Sequence, residues 1–241
     1  APADFEALFN APDARVRLDG STWHLPSATA AGAFAAAVPD ARIIICLRDP
    51  VDLVRSLYNY RIATGQIRQR ALTTLLAEED VLRGRWGKRV PALALYKQAA
   101  EHGRNVQRYL DVFDRSQLHF VFAEDLRSRP SVVATLTEFL RLNAFSEVHV
   151  EEANPTRMQR SYVFGRLIAR LPAPLKALAS KLPKRWRSGA YEALDRLNRR
   201  SSTPQVLSAD QERNLRAYFS DDVRELMRIT GRDLNHWLPT G

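Results

Sequence analysis

One cysteine in 241 residues excludes an internal disulfide. Cys46 falls within an apolar run, so it reads as a core side chain and not as a nucleophile. No apolar run is long enough to span a bilayer. No positively charged leader with an apolar centre and a small-residue cleavage site is present. Those two absences set the expectation of a cytoplasmic protein. No cluster of histidine, cysteine or acidic residues has metal-ligand spacing, so no metal is expected. No recognition helix, zinc spacing or interleaved aromatic stripe is present either, so no specific nucleic-acid partner is expected. There is no internal repeat and no low-complexity linker. Nothing in the pattern fixes an oligomeric state.

What is present fits one domain spanning residues 1–241. The hydrophobic fraction of 45% beside 26% charged residues is that of an ordinary globular chain. Charge is uneven. Lys and Arg number 36 against 27 Asp and Glu, for a net +9. Residues 151–200 alone carry 12 basic against 4 acidic side chains. A localised positive field draws anions: a phosphorylated cofactor, an acidic acceptor or an anionic membrane surface. Within it, residues 156–200 read as short helices broken by Pro172, Pro174, Pro183 and Gly189, a basic helical lid on the core.

The stretch Ala41–Tyr60, ARIIICLRDPVDLVRSLYNY, carries the most information. Its run Ile43–Leu47 is too short for an ordinary helix and rich in β-branched residues, the pattern of a parallel strand buried on both faces. Arg48 stands where the strand should end. Asp49 is a good N-cap and Pro50 suits the first helical position. Apolar residues then recur at helical spacing. In open α/β sheets ligands bind in the crevice at the carboxyl ends of the strands. Ser56 lies two turns beyond Asp49 and faces the same way. Arg48 and Ser56 are thus placed to converge on one anion, with a forked guanidinium and a hydroxyl as donors. The competing reading is an Arg paired with a helix carboxylate and an ordinary helical serine.

Elsewhere the pattern predicts a short strand at Arg15–Asp19 and helices at Ala28–Val38, Val51–Thr64, Ala71–Arg85 and Leu93–Phe113. It predicts a second strand at Leu118–Phe122, a helix at Ser131–Leu140 and a loop at Asn143–Pro155. A long final helix runs over Ser208–Ile229, with Ser208 and Gln211 in capping-box positions and Gly231 past its end.

Arg48, Asp49-Pro50 and Ser56 resemble the 3'-phosphate-binding motif of sulfotransferases that use 3'-phosphoadenosine 5'-phosphosulfate (PAPS). Tyr109–Leu126, with its Glu-Asp-Leu close, and Leu207–Leu238, with Gly231 and Trp237, are similar to that family's later stretches. The likeness runs from about Arg15 to Trp237. It implies a three-layer α/β fold with a P-loop-kinase-like parallel sheet and a helical C-terminal half. It implies PAPS as donor, the desulfated nucleotide PAP as product, and a small-molecule, carbohydrate or lipid-like acceptor.

By the same resemblance, Asp19 takes the place of the family's general-base Glu, with His24 as the alternative base. Asp19 also reads as a turn residue before Gly20, and His24 as a packing or surface residue beside Trp23. Gly20 stands where the family has a Lys. Arg199 and Arg200 resemble the basic loop that closes over the nucleotide, or else form a solvated basic linker. Asn154, Pro155 and Arg157 lie at a loop-to-helix junction and read as ordinary surface. Glu124 and Asp125 are expected to bind nearby backbone.

The family's Gly-, Thr- and Ser-rich loop for the phosphosulfate has no counterpart here: residues 1–14 contain no Gly, Lys or Thr. It is expected to precede Ala1. Two alternatives stay open. One is a small-molecule or nucleotide kinase on the same sheet type. The other is a non-catalytic basic module in which Tyr162–Trp186 lies on an anionic membrane.

Overall fold

A computed structural model of the chain describes residues 16–64, 66–68, 70–87, 90–127, 129–143, 158–159, 199–200 and 207–239. Of the expected loop at Asn143–Pro155 only Asn143 is described, and the basic helical lid lies outside those residues apart from two short strands.

Helix α1 (Ala30–Ala37) leads into strand β1 (Ile43–Leu47), which passes straight into α2 (Pro50–Ala63). Then come α3 (Leu72–Trp86), the one-turn α4 (Lys97–Ala100), α5 (His102–Leu110), strand β2 (Leu118–Phe122) and α6 (Arg129–Phe139). Strands β3 (Met158–Gln159) and β4 (Arg199–Arg200) form a separate antiparallel pair, and α7 (Ala209–Thr230) closes the chain. Strands β1 and β2 pair in parallel, Ile43 opposite Leu118 through Leu47 opposite Phe122. Parallel pairing demands a crossover, which α2 to α5 supply. Among the described residues no helix is long and apolar enough to cross a membrane.

The core forms where β1, α2, α5, β2 and α7 meet. Ile45 and Leu47 face Val54 and Tyr58 of α2, while Val106 and Tyr109 of α5 meet Phe219, Val223 and Leu226 of α7. Helices α5 and α7 cross so closely that a Cβ on Gly103 would lie 2.4 Å from the Asp222 carbonyl oxygen. Only a glycine allows that approach. Trp237 and Leu234, just past α7, complete the core.

Four expectations need correction. Residues 16–20 form no strand: they are exposed and irregular, and among the described residues no neighbouring strand takes up their backbone hydrogen bonds. Strand β1 is not buried on both faces. Ile45 and Leu47 are covered, but Cys46 is exposed, so it is not a core residue. Surrounding protein still pushes its thiol up from the ordinary value by desolvation, which keeps it a poor nucleophile. The continuous helix expected over Leu93–Phe113 is broken into a 3₁₀ turn (Ala92–Ala94), α4 and α5. The break is tertiary: the buried Glu79 carboxylate accepts the N–H groups of Tyr96, Lys97 and Gln98, and Asp222 accepts those of Gly103 and Arg104. Each carboxylate caps a new helix start from outside the segment. Finally, among the described residues the bonds of Glu124 and Asp125 go to side chains, where nearby backbone was expected. Glu124 accepts from Trp237 Nε1 at 2.9 Å and from His236, and Asp125 pairs with Arg232 at 2.6 Å.

The final helix matches its reading closely. Ser208 and Gln211 form both arms of a capping box, and Gly231 ends the helix in the left-handed region at φ 67°.

Candidate functional site

Arg48 is the first residue past β1. Its side chain is 46% exposed. The next residue turns the chain. The Asp49 carboxylate accepts the N–H of Val51 at 2.8 Å and of Asp52 at 3.3 Å, and Pro50 follows at the first helical position. That satisfies two of the donors a helix start leaves bare. The other Asp49 oxygen accepts from Arg216 Nη1 of α7 at 3.0 Å, and Arg216 also donates to the Trp237 carbonyl. A local cap is thereby tied to the far end of the sequence. The Arg48 carbonyl accepts from His102 Nε2 at 2.9 Å.

Residues four apart share a helix face, so Asp52 and Ser56 lie on one face of α2, and Arg48, just ahead of the helix, reaches that face at Asp52. Arg48 Nη2 lies 3.7 Å from Asp52 Oδ2, and Asp52 also pairs with Arg55. Ser56 is exposed, and among the described residues its hydroxyl has no hydrogen-bond partner. The strand-end cation and the hydroxyl therefore lie on one exposed face, and a carboxylate between them faces both guanidinium groups. Arg55 was not singled out from the sequence. Its signal is only a basic residue next to Ser56, which any solvated helix face would show.

Asp19 and His24, alternatives in the sequence, are joined in the structure. Asp19 Oδ2 accepts from His24 Nε2 at 2.7 Å, and Asp19 Oδ1 accepts the Ser21 N–H at 3.0 Å. The hydrogen bond from His24, and next that from Ser21, hold the Asp19 carboxyl below the usual carboxylate range. The His24 ring stands edge-on to Phe34, with centroids 4.8 Å apart. Neighbouring anchors fix the segment. Trp23 lies against the Arg61 guanidinium at 5.6 Å, and Gln98 donates to the Pro26 carbonyl at 3.2 Å. Arg61 is itself buried on α2, donates to the carbonyls of Ala92 and Leu95, and stacks on Tyr96 at 4.2 Å. So the Asp19–His24 pair is tied to the far half of α2, while Arg48 precedes its first turn and Ser56 lies midway along it. Ser56 and Arg61 are about 8 Å apart along the helix axis.

Strand β4 holds Arg199 and Arg200 and pairs with β3, whose backbone approaches α2. The basic pair thus lies one strand away from the helix that carries Ser56. Asn154, Pro155 and Arg157 lie outside the described residues. A cleft of about 440 Å³ beside Ala28, Arg83, Gly87, Gln98 and Arg108 lies apart from this row: neither Arg48 nor Ser56 lines it. Arg83 there is occupied by a two-pronged pair with Glu101, at 2.7 and 3.1 Å.

Sequence reasoning missed His102, Arg216 and Arg61. Arg216 carries the faint signal of standing four residues after Glu212, with which it pairs at 2.8 Å. His102 and Arg61 carry none, because their partners are carbonyl groups and rings distant in the chain.

The sequence model of the family described as "Sulfotransferase domain" matches residues 21–162, more than half of the chain. Among solved structures, the fold is similar to the crystal structure of a sulfotransferase from Alicyclobacillus acidocaldarius. The TM-score is 0.67 at 22% identity, and the match covers 98% of this chain and 73% of that one. Likeness at that identity speaks to the fold: a mixed helix-and-strand chain built on a parallel sheet. No curated protein matches the chain.

Proposed function

The chain belongs to the sulfotransferase domain family, a family of sulfuryl-transferring enzymes, and from that premise we propose that it moves a sulfuryl group from PAPS to a hydroxyl or amine of a small-molecule, carbohydrate or lipid-like acceptor. Family membership sets aside the kinase and the non-catalytic module.

One observation carries the donor's part of this reading: at the carboxyl end of β1, Arg48 reaches Asp52 on the exposed face of α2 that also carries Ser56, and the Ser56 hydroxyl has no partner among the described residues. That donor set fits a 3'-phosphate, which needs a forked cation and a neutral donor on one side. Arg48 and Ser56 hold that phosphate, and Asp52 releases Arg48 as it binds. Arg55 adds a second positive charge one residue from Ser56. Arg199 and Arg200 close over the nucleotide from β4. None of the described residues forms the loop that would cradle the 5'-phosphosulfate. When bound, PAPS supplies an activated sulfuryl group on a good leaving group.

The Asp19–His24 pair takes the acceptor's proton. Both Asp19 oxygens already accept hydrogen bonds, and its carboxyl is held low, which makes it a weak base. Nε2 of His24 donates to Asp19, so the ring's basic lone pair is at Nδ1. His24 is therefore the base and Asp19 the residue that orients it and steadies the imidazolium, an arrangement familiar from hydrolytic triads. This assigns Asp19 a different role from the direct base expected from the resemblance.

The test is titration of PAP into the wild type and into Arg48→Ala, followed by calorimetry. Loss of a charged hydrogen-bonding partner should weaken binding by more than about 1.5 kcal/mol. Ser56→Ala should cost less, about 1 kcal/mol. Unchanged PAP affinity in Arg48→Ala removes Arg48 from the site and the donor assignment with it.

A further inference from the structure

His102 is the first residue of α5 and is 2% exposed. Its Nε2 stands 2.9 Å from the Arg48 carbonyl oxygen. A carbonyl only accepts, so Nε2 carries the hydrogen and the other ring nitrogen is bare. That nitrogen, Nδ1, is buried and has no hydrogen-bond partner among the described residues. A buried polar atom left unsatisfied calls for an explanation. A phenylalanine of similar shape would fill the same space without stranding a nitrogen, so the Nε2 hydrogen bond is what the histidine adds.

The place of that bond is informative. The ladder between β1 and β2 ends at Leu47, whose carbonyl accepts the Ala123 N–H at 2.8 Å. The first turn of α2 uses the Asp49 carbonyl, which accepts from Leu53. The Arg48 carbonyl falls between the two and belongs to neither strand nor helix. The peptide plane before the Arg48 Cα is thus held by Ala123, and among the described residues His102 is the donor that holds the carbonyl of the plane after it. His102 is in turn held by α7. Asp222 accepts the N–H groups of Gly103 and Arg104, both at 2.9 Å, and the absent Cβ of Gly103 lets the two helices touch there. From the other side Arg216, also of α7, grips Asp49.

We propose that His102 is a positioning residue that sets the direction of Arg48 toward the nucleotide's 3'-phosphate. It acts through the Arg48 backbone and touches no ligand. The inference rests on Arg48 being the 3'-phosphate residue.

The experiment compares two ligands: PAP, and adenosine 5'-monophosphate, which lacks the 3'-phosphate. Each is titrated into the wild type, Arg48→Ala, His102→Phe and His102→Gln, with melting curves to show that each variant is folded. His102→Phe should lose tenfold or more in PAP affinity and keep its affinity for the monophosphate. His102→Gln places an amide N–H where Nε2 stood and should recover most of the loss. A general structural defect would weaken both ligands alike and would not be rescued. If His102→Phe does not fold, His102→Asn replaces it. Its shorter amide cannot reach the carbonyl, so it should bind PAP more weakly than His102→Gln. Equal PAP affinity in wild type and His102→Phe (or in the Asn and Gln variants), with Arg48→Ala still impaired, overturns this inference alone. A wild type that binds both nucleotides equally overturns the donor reading and this inference together.

Discussion

Burying a neutral histidine makes stability depend on acid in a way that can be worked out beforehand. The His102 pKa is lowered from its ordinary value of 6.5 to about 4, because burial disfavours the charged ring more than the Arg48 carbonyl favours it. The folded protein therefore leaves His102 unprotonated down to about pH 4, while the unfolded chain takes up the proton below 6.5. Where the unfolded state binds more protons, stability rises with pH. The contribution is fully present above pH 6.5 and is lost as pH falls toward 4. At 1.36 kcal/mol per unit of pKa difference, the loss between pH 7 and pH 4.5 is about 2.5 kcal/mol. Other groups titrate in the same range with mixed signs. Glu79 and Asp222 are raised by desolvation and gain relative stability in acid, whereas Glu101, paired with Arg83, is lowered and loses it. The quantity to measure is therefore a difference. Urea unfolding of wild type and His102→Phe at pH 7, 5.5 and 4.5 isolates the histidine, because the other groups are common to both. At pH 7 the variant should be less stable by about 1 kcal/mol, since the part-buried hydrogen bond to the Arg48 carbonyl is lost. By pH 4.5 the gap should close or reverse. Parallel stability curves across the three pH values would refute the reasoning.

Two further predictions concern packing and chemistry. Gly103→Ala drives a Cβ to 2.4 Å from the α7 backbone and should destabilise the fold by about 2 kcal/mol or more, whereas Gly84→Ala, on a helix with nothing within 4 Å, should stabilise it by about 0.5–1 kcal/mol. Thermal melts of the two variants check this, and a change of the same sign in both would contradict the close α5–α7 crossing. His24→Ala should lower sulfuryl transfer by about 100-fold or more and Asp19→Asn by less, with PAP affinity unchanged in both. The assay is release of PAP with whichever member of a phenol, sugar and amino-sugar panel the wild type sulfates. Full turnover in His24→Ala would exclude it as the base.

The elements read most accurately from the sequence are those whose signals are local. The β1–α2 junction is one. Its apolar run, Arg48, the Asp49 cap and Pro50 occupy eight consecutive residues, and the cap and the Arg48–Asp52 pair act on neighbours within four positions. The α7 boundaries are another, fixed by a capping box and a left-handed glycine. The reading failed where hydrogen bonds come from afar. The helix expected over Leu93–Phe113 has good periodicity, yet Glu79 and Asp222 cap its interior N–H groups from other elements and divide it. Arg15–Asp19 has a strand-like pattern, but among the described residues no strand lies beside it. Asp19 and His24 were both visible as candidates, but their pairing depends on a turn geometry that sequence spacing does not specify.

By itself, the sequence determined that a cation would stand at the end of a β-strand, that a capped helix would follow, and that Ser56 would share that cation's face. Covalent neighbours and helical periodicity suffice for each of these. Only the tertiary structure decided how Arg48 is held. Its backbone is fixed by His102, 54 residues away, and its neighbour Asp49 by Arg216, 167 residues away. Such bonds follow from the packing of α5 and α7 against the core, because a carbonyl and a distant donor leave no periodic trace in the chain until burial brings them together.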